Sequence, residues 1–136
     1  MPDFELDQRI VSDTVPVTTL GLSDLRLMND RRFPWLMLVP RRADMAEIID
    51  LDEADRAALF AEIVMVSAAL RHSTGCDKLN IGALGNIVRQ LHVHLVARFA
   101  GDAAWPGPVW GAGTPVGYAP GEADRLIASL AAAGLV

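Results

Sequence analysis

The stretch Gln90-Leu91-His92-Val93-His94-Leu95-Val96-Ala97-Arg98 alternates polar and apolar side chains for most of its length. Successive side chains of a β-strand point to opposite sides. A strand here therefore puts Gln90, His92, His94, Val96 and Arg98 on one face and Leu91, Val93, Leu95 and Ala97 on the other. The apolar row suits packing against a helix, and the polar row suits a ligand or solvent. Two of the three histidines in the chain stand together in that polar row. Imidazole can serve as acid, base or nucleophile near neutral pH and can form covalent intermediates. One alternative is an exposed strand face that carries two histidines without a task. Another is a metal site, since His-x-His on a strand can chelate zinc. A zinc site needs a third protein ligand and groups that orient it. The chain has no Cys pair, and His72 falls at the far end of a helix, so no metal is expected.

Outward from this stretch, the loop with Gly82, Gly85 and Asn86 separates it from a second apolar strand, Leu79-Asn80-Ile81-Gly82. Upstream lies a long helix: Asp52 as cap, an acidic first turn, then Leu59, Ile63, Val66 and Leu70 at three- and four-residue spacing. Arg71 and His72 in its last turn and Gly75 just beyond place its end near Ser73. The run Trp35-Leu36-Met37-Leu38-Val39 stops at Pro40 and predicts a strand covered on both faces. Asp24 to Asn29 alternates around Leu25 and Leu27, and Asn29-Asp30 makes a break. Asp13 to Leu20 is β-branched and followed by Gly21, with Pro16 placing it at a sheet edge. Downstream, Gly101 to Gly121 is rich in Gly and Pro, carries Trp105, Trp110 and Tyr118, and predicts an ordered irregular segment. Glu122 to Ala133 reads as a short helix ending at Gly134. There is no internal repeat. The order of elements predicts an α+β fold: a mainly antiparallel five-stranded sheet, a long central helix and a short C-terminal helix.

A chain of 136 residues, 51% hydrophobic and 21% charged, suits one domain with one core spanning residues 1–136. A net charge of −5 argues against long nucleic acid, which needs a surplus of Lys and Arg, but permits a small anionic ligand at a local site. Cys76 is the only cysteine and the first residues, Met1-Pro2-Asp3-Phe4-Glu5, are acidic, so a reducing, cytoplasmic setting is expected. No apolar run reaches the ~20 residues needed to cross a bilayer.

With these pieces in order, the chain resembles the histidine-triad (HIT) family, whose motif is three histidines alternating with apolar residues. Leu36-Met37-Leu38-Val39-Pro40-Arg41 is similar to the family strand ending in Pro and a basic residue. The Asp52 helix is similar to the central helix, and Asn80-Ile81-Gly82 to the Asn-bearing strand before the motif. The resemblance places His92 on the middle, nucleophilic histidine and His94 on the third, which helps bind phosphate. Gln90 stands where the family has its first histidine and keeps a hydrogen-bonding side chain there. Ile87 falls where many members carry a phosphate-touching Ser or Thr, a contact that Ile cannot make. The loop Gly82 to Asn86 is shorter than usual, although Gly85-Asn86 fits the family's Gly followed by an amide.

The implied chemistry is attack by His92 on the α-phosphate of a nucleotide, giving a nucleotidyl-histidine that water resolves. A backbone carbonyl of the motif strand would fix the His92 tautomer, and His94, Gln90 and Asn86 would donate to the phosphoryl oxygens. Asn80 joins the implied binding set. Asn29 and Asp30 are candidates to accept hydrogen bonds from ribose hydroxyls, with a plain turn as the alternative. Phe33 and Trp35 flank a pocket in this alignment or belong to the core. Arg41 and Arg42 read as a solvated pair, while Trp105 and Trp110 shape the pocket, meet a partner subunit, or staple the irregular segment. The implied substrate is a small nucleotide, either a dinucleoside polyphosphate or a nucleoside phosphoramidate. No cofactor is implied beyond Mg²⁺ that could accompany the substrate, and a homodimer is. Two other readings remain: a nucleotide-binding or regulatory module without turnover, favoured by Gln90 and Ile87, and a metal-binding protein using His92 and His94.

Overall fold

Two wholly buried strands, one apolar and one carrying His94 and Arg98 among apolar residues, form the middle of the sheet. In the computed structural model, which describes residues 3–135, Trp35–Pro40 (β3) and Val93–Arg98 (β5) are buried along their whole length. Met1 and Pro2 of the acidic N-terminal stretch, and Val136, lie outside the described residues. With Thr14–Thr19 (β1), Ser23–Met28 (β2) and Lys78–Gly82 (β4), strands β3 and β5 form one sheet in the order β1-β2-β3-β5-β4. Every neighbouring pair is antiparallel. Pro16 lies in edge strand β1, where a missing N–H costs no ladder bond on the open side, and the β1–β2 register shifts between Pro16 and Thr18.

One sheet face carries the main core. Leu36 and Leu38 of β3 and Val93, Leu95 and Ala97 of β5 cluster with Leu59, Ile63, Val66 and Leu70 of the helix Glu53–Thr74 (α2). Full burial of such side chains stabilises by roughly 1.5–3 kcal/mol each relative to exposure. Both ends of α2 are capped. The Asp52 carboxylate accepts from the Asp55 N–H at 2.8 Å, a bond worth about 1 kcal/mol, and Gly75 adopts the left-handed conformation at φ 65°. The helix Glu122–Leu130 (α3) follows, and Leu130 and Leu135 join the same core.

The other face, the predicted polar row, is buried rather than solvent-exposed: His92, His94, Val96 and Arg98 are all covered. An N-terminal helix, Gln8–Asp13 (α1), which the sequence does not predict, brings Ile10 against Met37 and Val39. The irregular segment after β5 brings Val109 against Phe33, Trp35 and Val96. Arg98, 1% exposed, anchors that segment. Its guanidinium donates to both Asp102 oxygens at 2.8 and 2.9 Å and to Asn80 Oδ1 at 2.8 Å. It lies between the Phe33 and Trp105 rings at 5.6 and 5.7 Å. The last strand is also shorter than predicted. Leu91 N–H donates to the Met45 carbonyl, so residues 90–92 leave the ladder and pairing starts at Val93. Among the described residues no helix is long and apolar enough to cross a membrane.

Candidate functional site

Two adjoining cavities open on the covered face of the sheet. The first, about 340 Å³, is walled by His92, His94, Trp35, Met37 and Trp110, by the loop Leu84–Val88, and by Arg9, Ile10 and Asp13 of α1. The second, about 430 Å³, is walled by Ser12, Asn29, Asp30 and Arg32 and by the segment from Val109 to Pro115. Asp13, Met28, Trp35 and Gly111 line both, so an elongated ligand can occupy the two together.

The two imidazoles meet at 4.9 Å between ring centres, with their planes at 73°. His92 Nδ1 lies 2.6 Å from the Gln90 carbonyl oxygen. A carbonyl can only accept, so Nδ1 holds a proton, and in the neutral ring Nε2 then carries the lone pair. His94 is bonded in the opposite sense: the Trp35 indole N–H donates to its Nδ1 at 2.9 Å. Burial first, and the neighbouring His92 second, push the His94 pKa down to about 3. Trp35 and Trp110 pack edge-on against the His94 ring at 5.7 and 5.4 Å.

Of the residues singled out in the sequence, the structure brings His92, His94 and Asn86 to the first cavity and Asn29 and Asp30 to the second. Gln90 sits behind the first cavity. Its amide oxygen accepts from the Asp7 N–H at 2.9 Å and its amide nitrogen donates to the Glu5 carbonyl at 2.7 Å, so its side chain ties down the N-terminal segment. Asn80 holds Arg98 and lies outside both cavities. Ile87 lines the first cavity and is 83% exposed. Asn29 Oδ1 takes the Tyr118 N–H at 3.0 Å. The Asp30 carboxylate is 1% exposed and accepts from the Arg32 side chain and from the backbone of Arg32 and Val116. Burial opposes its charge, but the Arg32 guanidinium and those N–H groups win and hold it below its ordinary pKa.

Arg41 and Arg42 pair with Asp24 and Asp55, away from the cavities. Trp105 covers Arg98, whereas Trp110 stands in the cavity wall. Sequence reasoning missed Arg9, Ile10, Ser12 and Asp13 of α1 and Arg32 among the wall residues. Arg9 donates to the Ile87 carbonyl at 3.1 Å and so joins α1 to the loop. A six-residue helix is too short to show a period, and its one signal is Asp7, whose carboxylate caps it through the Arg9 N–H. Among the described residues no three His, Cys, Asp or Glu side chains converge as metal ligands would.

The HIT domain family matches residues 10–101. The crystal structure of a histidine triad protein from Sinorhizobium meliloti superposes with a TM-score of 0.94 at 52% identity, covering 95% of this chain and 96% of that one. A histidine triad protein from Bradyrhizobium japonicum gives 0.94 at 50% identity, covering 96% and 98%. One from Marinobacter aquaeolei gives 0.94 at 39% identity, covering 97% and 96%. No curated protein matches the chain.

Proposed function

This chain belongs to the HIT domain family, and from that premise we propose that it binds a nucleotide and hydrolyses or transfers it at the α-phosphate through a covalent bond to His92. The observation that carries this reading is the 2.6 Å contact between His92 Nδ1 and the Gln90 carbonyl, which leaves the Nε2 lone pair available for attack. In the first step Nε2 donates that pair to phosphorus. The bond from phosphorus to the leaving group breaks, and the group departs with the bonding electrons and takes up a proton. The ring then carries phosphorus on Nε2 and hydrogen on Nδ1. It is cationic, and the Gln90 carbonyl stabilises it. Water next attacks phosphorus, the P–N pair returns to Nε2, and a proton passes to solvent, releasing the nucleoside monophosphate. Another acceptor in place of water makes the step a transfer.

His94 and Asn86, both in the wall of the same cavity, are assigned as donors to the phosphoryl oxygens, where charge accumulates. Gln90 contributes its backbone carbonyl, since its amide is engaged elsewhere. The nucleoside is assigned to the second cavity, with Asn29 within reach of the ribose and Asp30 shaping the wall through Arg32. Dinucleoside polyphosphates and nucleoside phosphoramidates are the substrate classes proposed, with Mg²⁺ as a companion of the former. A homodimer is proposed as well. Phe60, Val64 and Met65 lie exposed on the outer side of α2 at 56%, 67% and 42%, an apolar stripe that a second copy would cover.

Purified protein with adenosine phosphoramidate or diadenosine polyphosphate tests the reading by turnover and intact mass. The expected result is hydrolysis, a trapped nucleotidyl adduct on His92, and a loss on the order of 10⁴-fold or more in His92→Ala. Nucleotide binding without turnover in the unaltered protein would replace the enzyme with a binding module, the reading that the departures at Gln90 and Ile87 favour.

A further inference from the structure

The two imidazoles are chemically alike, yet the proposed reaction, on which this inference rests, needs one to present a lone pair and the other a proton. The backbone decides the matter for His92. For His94 the deciding group is a side chain. Tryptophan has one polar atom, an N–H that can only donate, and the Trp35 indole nitrogen lies 2.9 Å from His94 Nδ1 with both residues buried. Register keeps the pair in place: Trp35 is paired with Val96 and Met37 with His94 across the two central strands.

We propose that Trp35 is a positioning residue that holds His94 neutral with its proton on Nε2, so that His94 offers the phosphoryl group a donor and never a lone pair. Protonating Nδ1 would set two donors against each other and strand the indole N–H in a buried site, a loss that both the other tautomer and the imidazolium incur. The surroundings agree. The charged or titratable groups lining the cavity are His92 on the approach to β5 and Arg9 and Asp13 from α1; β3 offers Trp35 and Met37, and the irregular segment Trp110. Gly82 is the β4 partner of His94, and it adds no side chain. Burial and the adjacent His92 depress protonation of His94 further. Nδ1 on His92 and Nε2 on His94 thus carry the two protons, and the rings divide the labour of nucleophile and donor.

The test uses ¹⁵N-labelled full chain. In the unaltered protein, NMR should detect a scalar coupling between the Trp35 indole nitrogen and His94 Nδ1 across the hydrogen bond, and the His94 nitrogen shifts should report the Nε2–H form from about pH 8 down to about pH 4.5. Trp35→Phe, which keeps an aromatic ring and removes the donor, should give a mixture of His94 tautomers and a titration moved up towards the ordinary histidine range. Its kcat should fall about tenfold, less than the ~10²–10³ typical of deleting a transition-state donor outright, because part of the population still donates. Absence of the coupling overturns the proposal whether or not the variant folds. So does an unchanged His94 tautomer and titration in folded Trp35→Phe. These spectra need no substrate, so a failure to find turnover would count against the enzyme reading and leave this result standing on its own.

Discussion

If His94 is held neutral inside the protein, acid must destabilise the fold through that one ring. The unfolded chain binds a proton at His94 near the ordinary pKa of 6.5, while the folded protein does so only near about 3. Between those values the unfolded state binds more protons, so stability falls as pH falls. The loss begins below the ordinary value and is complete below the native one. Each pKa unit corresponds to about 1.4 kcal/mol. Between pH 7 and about pH 4.5, integration gives a contribution of about 2.5 kcal/mol from this residue. Urea denaturation at both pH values, on the protein and on His94→Gln, isolates it, because carboxylate contributions are common to the two and cancel in the difference. The unaltered protein should lose about 2.5 kcal/mol more than the variant over this interval. Parallel losses would refute the reasoning and mean that the folded protein accepts a proton on His94 as readily as the unfolded chain does.

Other perturbations separate the anchors of the site from its surroundings. Arg98→Met removes the partner of the buried Asp102 carboxylate and should cost about 3–5 kcal/mol in urea unfolding. Leu38→Ala, at a fully buried position of β3, should cost about 2–5 kcal/mol. Ile87→Ala, at a position 83% exposed on the cavity loop, should stay within about 0.5 kcal/mol in the same assay. Phe60→Glu puts a charge into the apolar stripe on α2; sedimentation should show a dimer become a monomer while the circular dichroism spectrum is unchanged.

The elements that the sequence makes legible are those whose pattern has a local cause. The α2 boundaries follow from Asp52 and Gly75, two caps whose geometry depends on neighbouring backbone alone. The position of β3 follows from five apolar residues and a stop at Pro40, and the edge position of β1 follows from Pro16. Alternation from Leu91 to Ala97 correctly assigns the apolar row to the α2 side. What covers the opposite row is remote in sequence: Val109 of the irregular segment packs against Val96, and Ile10 of α1 lines the cavity with His92 and His94. The same remoteness hides what the candidate polar residues bind. Nothing local to Asn80 announces Arg98 as its partner. Asp30 is committed to Arg32, two residues away, and to Val116, which only the wrapped irregular segment can bring near. Trp35 next to an apolar strand reads equally as core or pocket, and it is both: it packs with Phe33 and Val96 while its N–H reaches His94.

Gln90 acts through its hydrogen bonds to the N-terminal segment. A side chain at that position is held by the N-terminal segment, through the Glu5 carbonyl and the Asp7 N–H. An amide carries a donor group and an acceptor group at the same tip, so it satisfies both backbone groups at once, each partner being of opposite sense. Gln90 is thereby matched to fixing residues 5–7, and Asp7 in turn caps α1, which carries Arg9, Ile10 and Asp13 to the cavity wall. Its backbone carbonyl remains on His92 Nδ1, a contact that any residue at this position could make. Exchange of the side chain therefore changes the far wall of the cavity while leaving intact the contact that sets the His92 proton.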